Sequence, residues 1–457
     1  MELPIVLSRG DGPPLSVRIA EELRAAAVDG RLRVGDRLPS TRALASQLGV
    51  SRTVTATAYE QLLAEGWLTG RVGAGTYVTA TPPTAPRPRR TSPGRPAVAS
   101  TAPRVDLRPG QSCLHVIDPA AWRRAWRAAG DAAPSAMPEP AGNPRFRAAV
   151  AEHLLRHRGL RAQADAVLAT AGVTAALAEI AAQLPAGSVV AMEEPGYNRA
   201  TATLRGAGLR VVAVPVNADG LSVERLPPGL TAVYTTPAHQ FPMAMRMSAE
   251  RRVALIERAR RDGFLIIEDD YDGELRYDVA PLPLLAALGP DVVAHLGTTS
   301  KLITPTLGVG WLVAPPGLHR DLLGARERTD IRPAPAGQLV TACFAESGDL
   351  ARHLRKLRRE LVDRRTLVLD LCSAAGVAVA GDPAGAHLRI PLPDRATEQA
   401  VTTAAAAAGV EVSALTAHHL ERPRTHGLSL GYAGPGRPDL QEAVATLAAL
   451  TARLCSS

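Results

Sequence analysis

Along the first eighty residues the apolar positions repeat first at helical and then at strand spacing. Leu15, Val17, Ile19, Ala20, Leu23 and Ala27 share one face of a helix expected over 15–29, which Gly30 can end before a turn at Gly35. A hydroxyl beside Pro39, in Leu38-Pro39-Ser40-Thr41-Arg42, can cap a second helix over 43–48. Gly49-Val50 makes the next turn, and Ser51 caps a third helix over about 52–65 with Val54, Ala58 and Leu62 facing inward. Two short helices joined by a glycine turn predict a helix-turn-helix, whose second helix enters the major groove of DNA. Segments 67–69 and 76–78 read as strands, with 71–75 between them as a hairpin wing. A helical hairpin of this kind also suits protein contacts, and each of its polar residues also suits capping.

Beyond residue 104 the pattern changes to short apolar strands alternating with helical stretches. Strands are expected at 167–170, 188–192, 210–214, 231–235, 264–268 and 292–297, with a helix starting at Thr174. That alternation predicts an α/β sheet layered with helices, its functional groups at the strand ends. Between the two patterns, residues 79–104 hold seven prolines and few large apolar side chains, so an extended linker over 81–104 is expected.

Composition narrows the class. Of 457 residues, 46% are hydrophobic, which suits globular domains, and no apolar run reaches the roughly 18 residues of a membrane span. The start, Met1-Glu2-Leu3-Pro4, lacks the basic and apolar regions of a signal peptide, so a cytoplasmic protein is expected. Cys113, Cys343, Cys372 and Cys455 are scattered without Cys-x-x-Cys spacing, which argues against a disulfide framework and a zinc site. The formal charge is +8, and 81–104 alone carries five arginines and no acid. That basic stretch can track phosphates beside a DNA-binding head, or can simply be a solvated linker.

Lysine usage singles out one position. Of 52 basic residues only Lys301 and Lys356 are lysines. Arginine keeps its proton, whereas lysine can lose one and attack a carbonyl, so a surviving lysine is a candidate for chemistry. Lys301 lies in Thr298-Thr299-Ser300-Lys301, directly after the 292–297 strand. The 264–268 strand runs into Asp269-Asp270-Tyr271-Asp272, and the 188–192 strand into Glu193-Glu194-Pro195-Gly196-Tyr197. An Asp, a Tyr and a Lys gathered at strand ends are what pyridoxal 5′-phosphate needs: a Schiff-base amine, a carboxylate for the pyridine nitrogen and a phenol for O3′.

Two resemblances sharpen this reading. From Leu15 to Val78 the chain resembles the winged helix of the GntR family, through LPSTRALASQLGVSR, AYEQLLAEGW and GRVGAGTYV. The resemblance implies that Ser40, Thr41, Arg42, Ser51, Arg52, Thr53, Thr55 and the wing's Arg71, Gly73 and Gly75 lie at the DNA. Arg42 and Arg52 would read guanine edges or phosphates with paired bonds. From about 105 to 433 the chain resembles fold-type I aminotransferases, through DPAAWRR, GNPRFRAAVAEHLLRHRG, EEPGY, TPAHQFP, IIEDDYDGE and LGTTSKLITPTLGVGWLV. Together the two look most like the MocR subfamily of GntR regulators. That implies a head over 1–80, an aminotransferase-like large domain over 105–330, a smaller C-terminal α+β subdomain over 331–457, and a homodimer. It implies Lys301 as the Schiff-base lysine, Asp269 as the pyridine partner, Tyr271 as the O3′ partner and Tyr197 near the ring. It places Thr298 and Thr174 near the phosphate, His239 and Gln240 along the site, and Arg199 at a ligand carboxylate.

Five positions, at four places in the chain, depart from the family pattern. The run Pro305-Thr306-Leu307-Gly308 has glycine where the family's phosphate-binding Arg stands, and Met137 replaces a Tyr that reaches the partner's phosphate. Met243-Ala244 replaces a hydroxyl residue and Gly, and Ser429 falls where aminotransferases often place the substrate-carboxylate Arg. Three readings therefore stand. One is a DNA-binding regulator that holds pyridoxal phosphate and an amine or amino acid effector; the others are a regulator with a repurposed pocket and a working aminotransferase with an added head.

Overall fold

The computed structural model describes residues 13–71, 75–79, 105–133, 137–278 and 282–455. The chain divides into two compact units, 1–99 and 100–457. The expected linker over 81–104 lies outside the described residues.

In the first unit the caps read from the sequence set the helix starts. Helix α1 spans Leu15–Val28, α2 Thr41–Leu48 and α3 Arg52–Ala64. Ser40 Oγ accepts from the Ala43 amide at 3.2 Å, so α2 begins at Thr41, two residues before the expected start. Ser51 Oγ faces the Val54 amide at 3.5 Å, and Gly49 takes the left-handed conformation between the helices with φ 62°. Strands β1 (Arg37–Leu38), β2 (Leu68–Arg71) and β3 (Gly75–Val78) form an antiparallel sheet in the order β1-β3-β2. Ile19, Leu23, Leu44, Ala58, Leu62 and Val78 make the core under it. Tyr59 is buried with them, and its hydroxyl donates to the Pro39 carbonyl at 2.9 Å, tying α3 to the loop that starts α2.

The second unit is built on an eight-stranded sheet. Its order is 167–170, 310–313, 293–298, 265–270, 232–235, 189–194, 210–217, 220–221. All neighbours are parallel except those of Gly310–Val313 and Gly220–Leu221, which run antiparallel. Val167–Thr170, Ala232–Thr235 and Val293–Thr298 are buried throughout, the signature of strands covered on both faces. This is why they read as unbroken apolar runs. A smaller antiparallel sheet joins His387–Pro391, Gly427–Gly431 and Ser413–Ala414 in that order, packed with helices Arg395–Ala407, Arg437–Cys455 and Asp349–Ala374.

One boundary expectation changes. Val105–Asp106 pairs in parallel with Val410–Glu411, and the Gly431 amide donates to the Leu107 carbonyl at 2.7 Å. The segment that opens the second unit therefore belongs to the small subdomain, not to the large domain assigned over 105–330. Only tertiary pairing joins residues 300 positions apart, so local pattern could not reveal it.

The central strand Leu265–Asp270 ends on a buried ion pair. Arg158, at the end of helix Pro144–Arg158, sends Nε and Nη2 to the two Asp270 oxygens, each at 2.8 Å. Its Nη1 donates to the Gly273 and Leu282 carbonyls at 3.1 Å. Removing one partner of such a pair leaves the other charge desolvated and alone. Arg158→Met is expected to cost about 3–5 kcal/mol in urea unfolding of the full chain. A loss below about 1 kcal/mol would show that Asp270 needs no partner.

Candidate functional site

The strand ends open into a cavity of about 690 Å³. Lys301, Asp269, Tyr271, Tyr197, Thr298, Thr174 and Arg199 all line it.

Asp269 is buried, 4% exposed. Its Oδ2 accepts from the Tyr234 hydroxyl, while Oδ1 is buried with no hydrogen-bond partner among the described residues. Burial, opposed by the Tyr234 bond, lifts its carboxyl to about 7. Lys301 follows strand Val293–Thr298, and its Nζ donates to the Gly110 carbonyl. Burial lowers its ammonium pKa, which favours the free amine. The Ser112 hydroxyl donates to the Ser300 carbonyl, so residues 110–112 close over the lysine. No sequence motif signalled that contact.

The remaining predicted residues divide in two. Thr298 Oγ1 accepts from the Ser300 amide at 3.1 Å, and Thr174 lies in the first turn of helix Val173–Gln183. Gly172 precedes that helix at φ 111°, and a Cβ there would reach to 3.9 Å from Thr298 Oγ1. The amide-bearing helix start and the two hydroxyls thus face one pocket, a setting suited to an anion. Tyr197 packs edge-on against Phe241 with centroids 5.7 Å apart, and its hydroxyl meets Thr174 and Arg199. The Tyr271 hydroxyl donates to the His239 carbonyl at 2.7 Å.

His239 and Gln240 do not line the cavity. Gln240 is turned away, its Nε2 donating to Glu193 Oε2 at 3.1 Å and to the Pro195 and Phe241 carbonyls at 2.9 and 2.8 Å. Glu193 is buried, and this amide together with Thr235 and Thr236 satisfies it, so Gln240 is held in a structural role. His239 is buried behind Tyr271, its Nδ1 2.9 Å from Asp272 Oδ2.

The departures have a structural counterpart. Gly308 sits at φ 57°, and a Cβ there would meet nothing within 4 Å, so the missing cation leaves open space. Met137 is 71% exposed. Ala244 takes φ 55°, a conformation in which glycine carries no Cβ penalty. Ser429 is buried with its Oγ unpartnered, opposite Arg389 and Ser413 on the flanking strands. Asp272, His387, His418 and Arg108 also line the cavity and were not picked out from the sequence. The two histidines come from the small subdomain and carry no local motif.

In the first unit Ser40, Arg42, Ser51, Arg52 and Thr53 are exposed around the start of α2 and α3, and Thr41 is half-buried. Thr55 is a correction: it is fully buried, and its hydroxyl donates to the Thr41 and Arg52 carbonyls at 2.8 and 3.0 Å. It therefore joins the two helices and does not face DNA. Thr57, four residues after Thr53 and exposed, takes its place on the outer face, as helical spacing would have indicated. Arg71 ends β2 and Gly75 begins β3 at φ 114°, while Gly73 lies outside the described residues.

Comparisons with known proteins agree with this arrangement. Residues 15–78 match bacterial regulatory proteins of the gntR family, and residues 110–447 match aminotransferase class I and II. The chain is 32% identical to a probable rhizopine catabolism regulatory protein, MocR, of Rhizobium meliloti, over 97% of this chain and 95% of that one. It is 34% identical to the pyridoxine biosynthesis transcriptional regulator PdxR of Corynebacterium glutamicum, over 94% of each. An archaeal alanine:glyoxylate aminotransferase superposes with a TM-score of 0.71 at 24% identity, covering 76% of this chain and 90% of that one, which shows the fold. The chain therefore belongs to the gntR family of bacterial transcription regulators, in the MocR type that carries an aminotransferase class I and II domain behind its helix-turn-helix.

Proposed function

We propose that this regulator holds pyridoxal 5′-phosphate in the cavity at Lys301 and senses an amine or amino acid there, altering DNA binding by its head. One observation carries the reading: the buried, unpartnered Asp269 Oδ1 lines the same cavity as Lys301. A buried carboxyl oxygen without a donor is costly, and a protonated pyridine nitrogen is a donor that would relieve it. The similarity to a regulator named for pyridoxine biosynthesis points the same way.

When bound, the cofactor supplies an aldehyde able to capture a primary amine. This chain's residues do the rest. Lys301 would offer its amine, and the open Asp269 oxygen would face the ring nitrogen and hold its proton. Thr298, Thr174 and the start of helix Val173–Gln183 would donate to the phosphate, Tyr271 and Tyr197 would flank the ring, and Arg199 would offer a guanidinium to a ligand carboxylate. Ser429 gives no second guanidinium for a substrate carboxylate, which favours sensing over turnover. In this reading the protein works in the cytoplasm as a homodimer, setting two heads over paired half-sites. A repurposed pocket without the cofactor is the second reading, and Gly308, uncharged in open space, is what favours it.

Two measurements decide between them. Mixed with pyridoxal phosphate, the full chain should show the visible absorption of a lysine-bound cofactor, and Lys301→Ala should not. No band at millimolar cofactor, or an equal band in Lys301→Ala, would favour the second reading. The open space at Gly308 allows a stricter comparison. Gly308→Arg and Gly308→Ala both place a side chain at positive φ, but only the first adds a cation. A charge-assisted bond worth about 1.5–3 kcal/mol should make Gly308→Arg bind the cofactor about 10- to 150-fold tighter than Gly308→Ala in a fluorescence titration. Equal affinities would show that no phosphate reaches that position.

A further inference from the structure

Behind Tyr271 three side chains from distant segments converge with unused ligand atoms. His239, Asp272 and His387 are at most 3% exposed, and one ligand atom of each lies within 4.8 Å of the others. Asp272 Oδ2 meets His239 Nδ1 at 2.9 Å, and the two imidazole rings are 4.4 Å apart. After that contact, His239 Nε2, Asp272 Oδ1 and His387 Nε2 remain buried without a partner among the described residues. An orphaned polar atom on each of three clustered side chains is unusual, because each carries an uncompensated desolvation cost.

The backbone is shaped to this cluster. Gly385 takes φ 65°, and a Cβ there would lie 2.3 Å from His239 and 2.4 Å from Asp272. Only glycine lets the chain close over the group just before strand His387–Pro391.

We propose that His239, Asp272 and His387 form a site for one divalent first-row transition metal, of the kind Zn²⁺ represents. Two nitrogens and one oxygen suit a borderline ion, whereas calcium and magnesium take mostly oxygen ligands. Small side-chain rotations would draw the three atoms to the spacing that bonds of about 2.0–2.2 Å demand. Three protein ligands leave a coordination position open. Asp272 and His387 both line the cavity, so that position faces the ligand space and can take water, an amine or a carboxylate. The site does not depend on bound pyridoxal phosphate.

The test uses the full, untagged chain freed of cofactor and stripped of metal. Zn²⁺ titrated in competition with a chromophoric chelator should bind at one equivalent per chain. His387→Gln and Asp272→Asn should each weaken that binding at least tenfold, while His426→Gln, outside the cluster, should leave it unchanged. Co²⁺ on the unaltered chain gives a readout free of folding effects in the variants: the intense visible bands of a low-coordinate site should rise to one equivalent. Absence of stoichiometric Zn²⁺, affinity equal in all three variants, or only the weak spectrum of hydrated Co²⁺ would overturn the proposal.

Discussion

Two consecutive carboxyls end the central strand Leu265–Asp270, and among the described residues only one of them meets a guanidinium. Successive strand side chains point to opposite faces, so Asp270 and Asp269 meet different surroundings. Asp270 receives a two-pronged guanidinium from Arg158 and is settled within the fold. Asp269 receives only a hydroxyl, from Tyr234, and keeps one oxygen unpaired beside the cavity. The first arrangement fixes the strand end; the second leaves a carboxyl oxygen open to a donor from the cavity. Lys301, Tyr271 and Thr298 line the cavity into which that oxygen opens.

The head shows the same division between residues that hold the frame and residues left free. Thr55 and Tyr59 both spend their hydroxyls on backbone carbonyls at the start of α2, fixing one helix against the other. Arg42, Arg52 and Thr53 remain outside that network and exposed. A rigid helix pair with free guanidiniums at its edge is what major-groove reading requires, since positioning precedes selectivity.

Much of this was legible in the sequence, for definite reasons. The caps at Ser40 and Ser51, the glycine turn at Gly49 and the apolar strands are local features, and local chemistry fixes them. The rarity of lysine made Lys301 stand out before any motif was considered. What escaped were features made by tertiary pairing. Thr55 looked like its polar neighbours, and only the inward turn of α3 buries it. Gln240 sits in a recognisable motif, yet its amide is taken by Glu193 from another strand. The pairing of Val105–Asp106 with Val410–Glu411 spans nearly the whole second unit. Cysteine spacing carries no sign of a metal site, whereas the cluster of His239, Asp272 and His387 draws imidazoles and a carboxylate from segments far apart.

The central claim is that occupancy of the Lys301 cavity is read out as DNA affinity, and linkage makes this measurable in one titration. Fluorescence anisotropy of a DNA fragment recovered by selection on the full chain would give its affinity with and without saturating pyridoxal phosphate. Coupling of about 1–3 kcal/mol predicts a shift of roughly 5- to 150-fold for the unaltered chain, and none for Lys301→Ala. Identical DNA affinity in both conditions, with the cofactor demonstrably bound, would contradict the account.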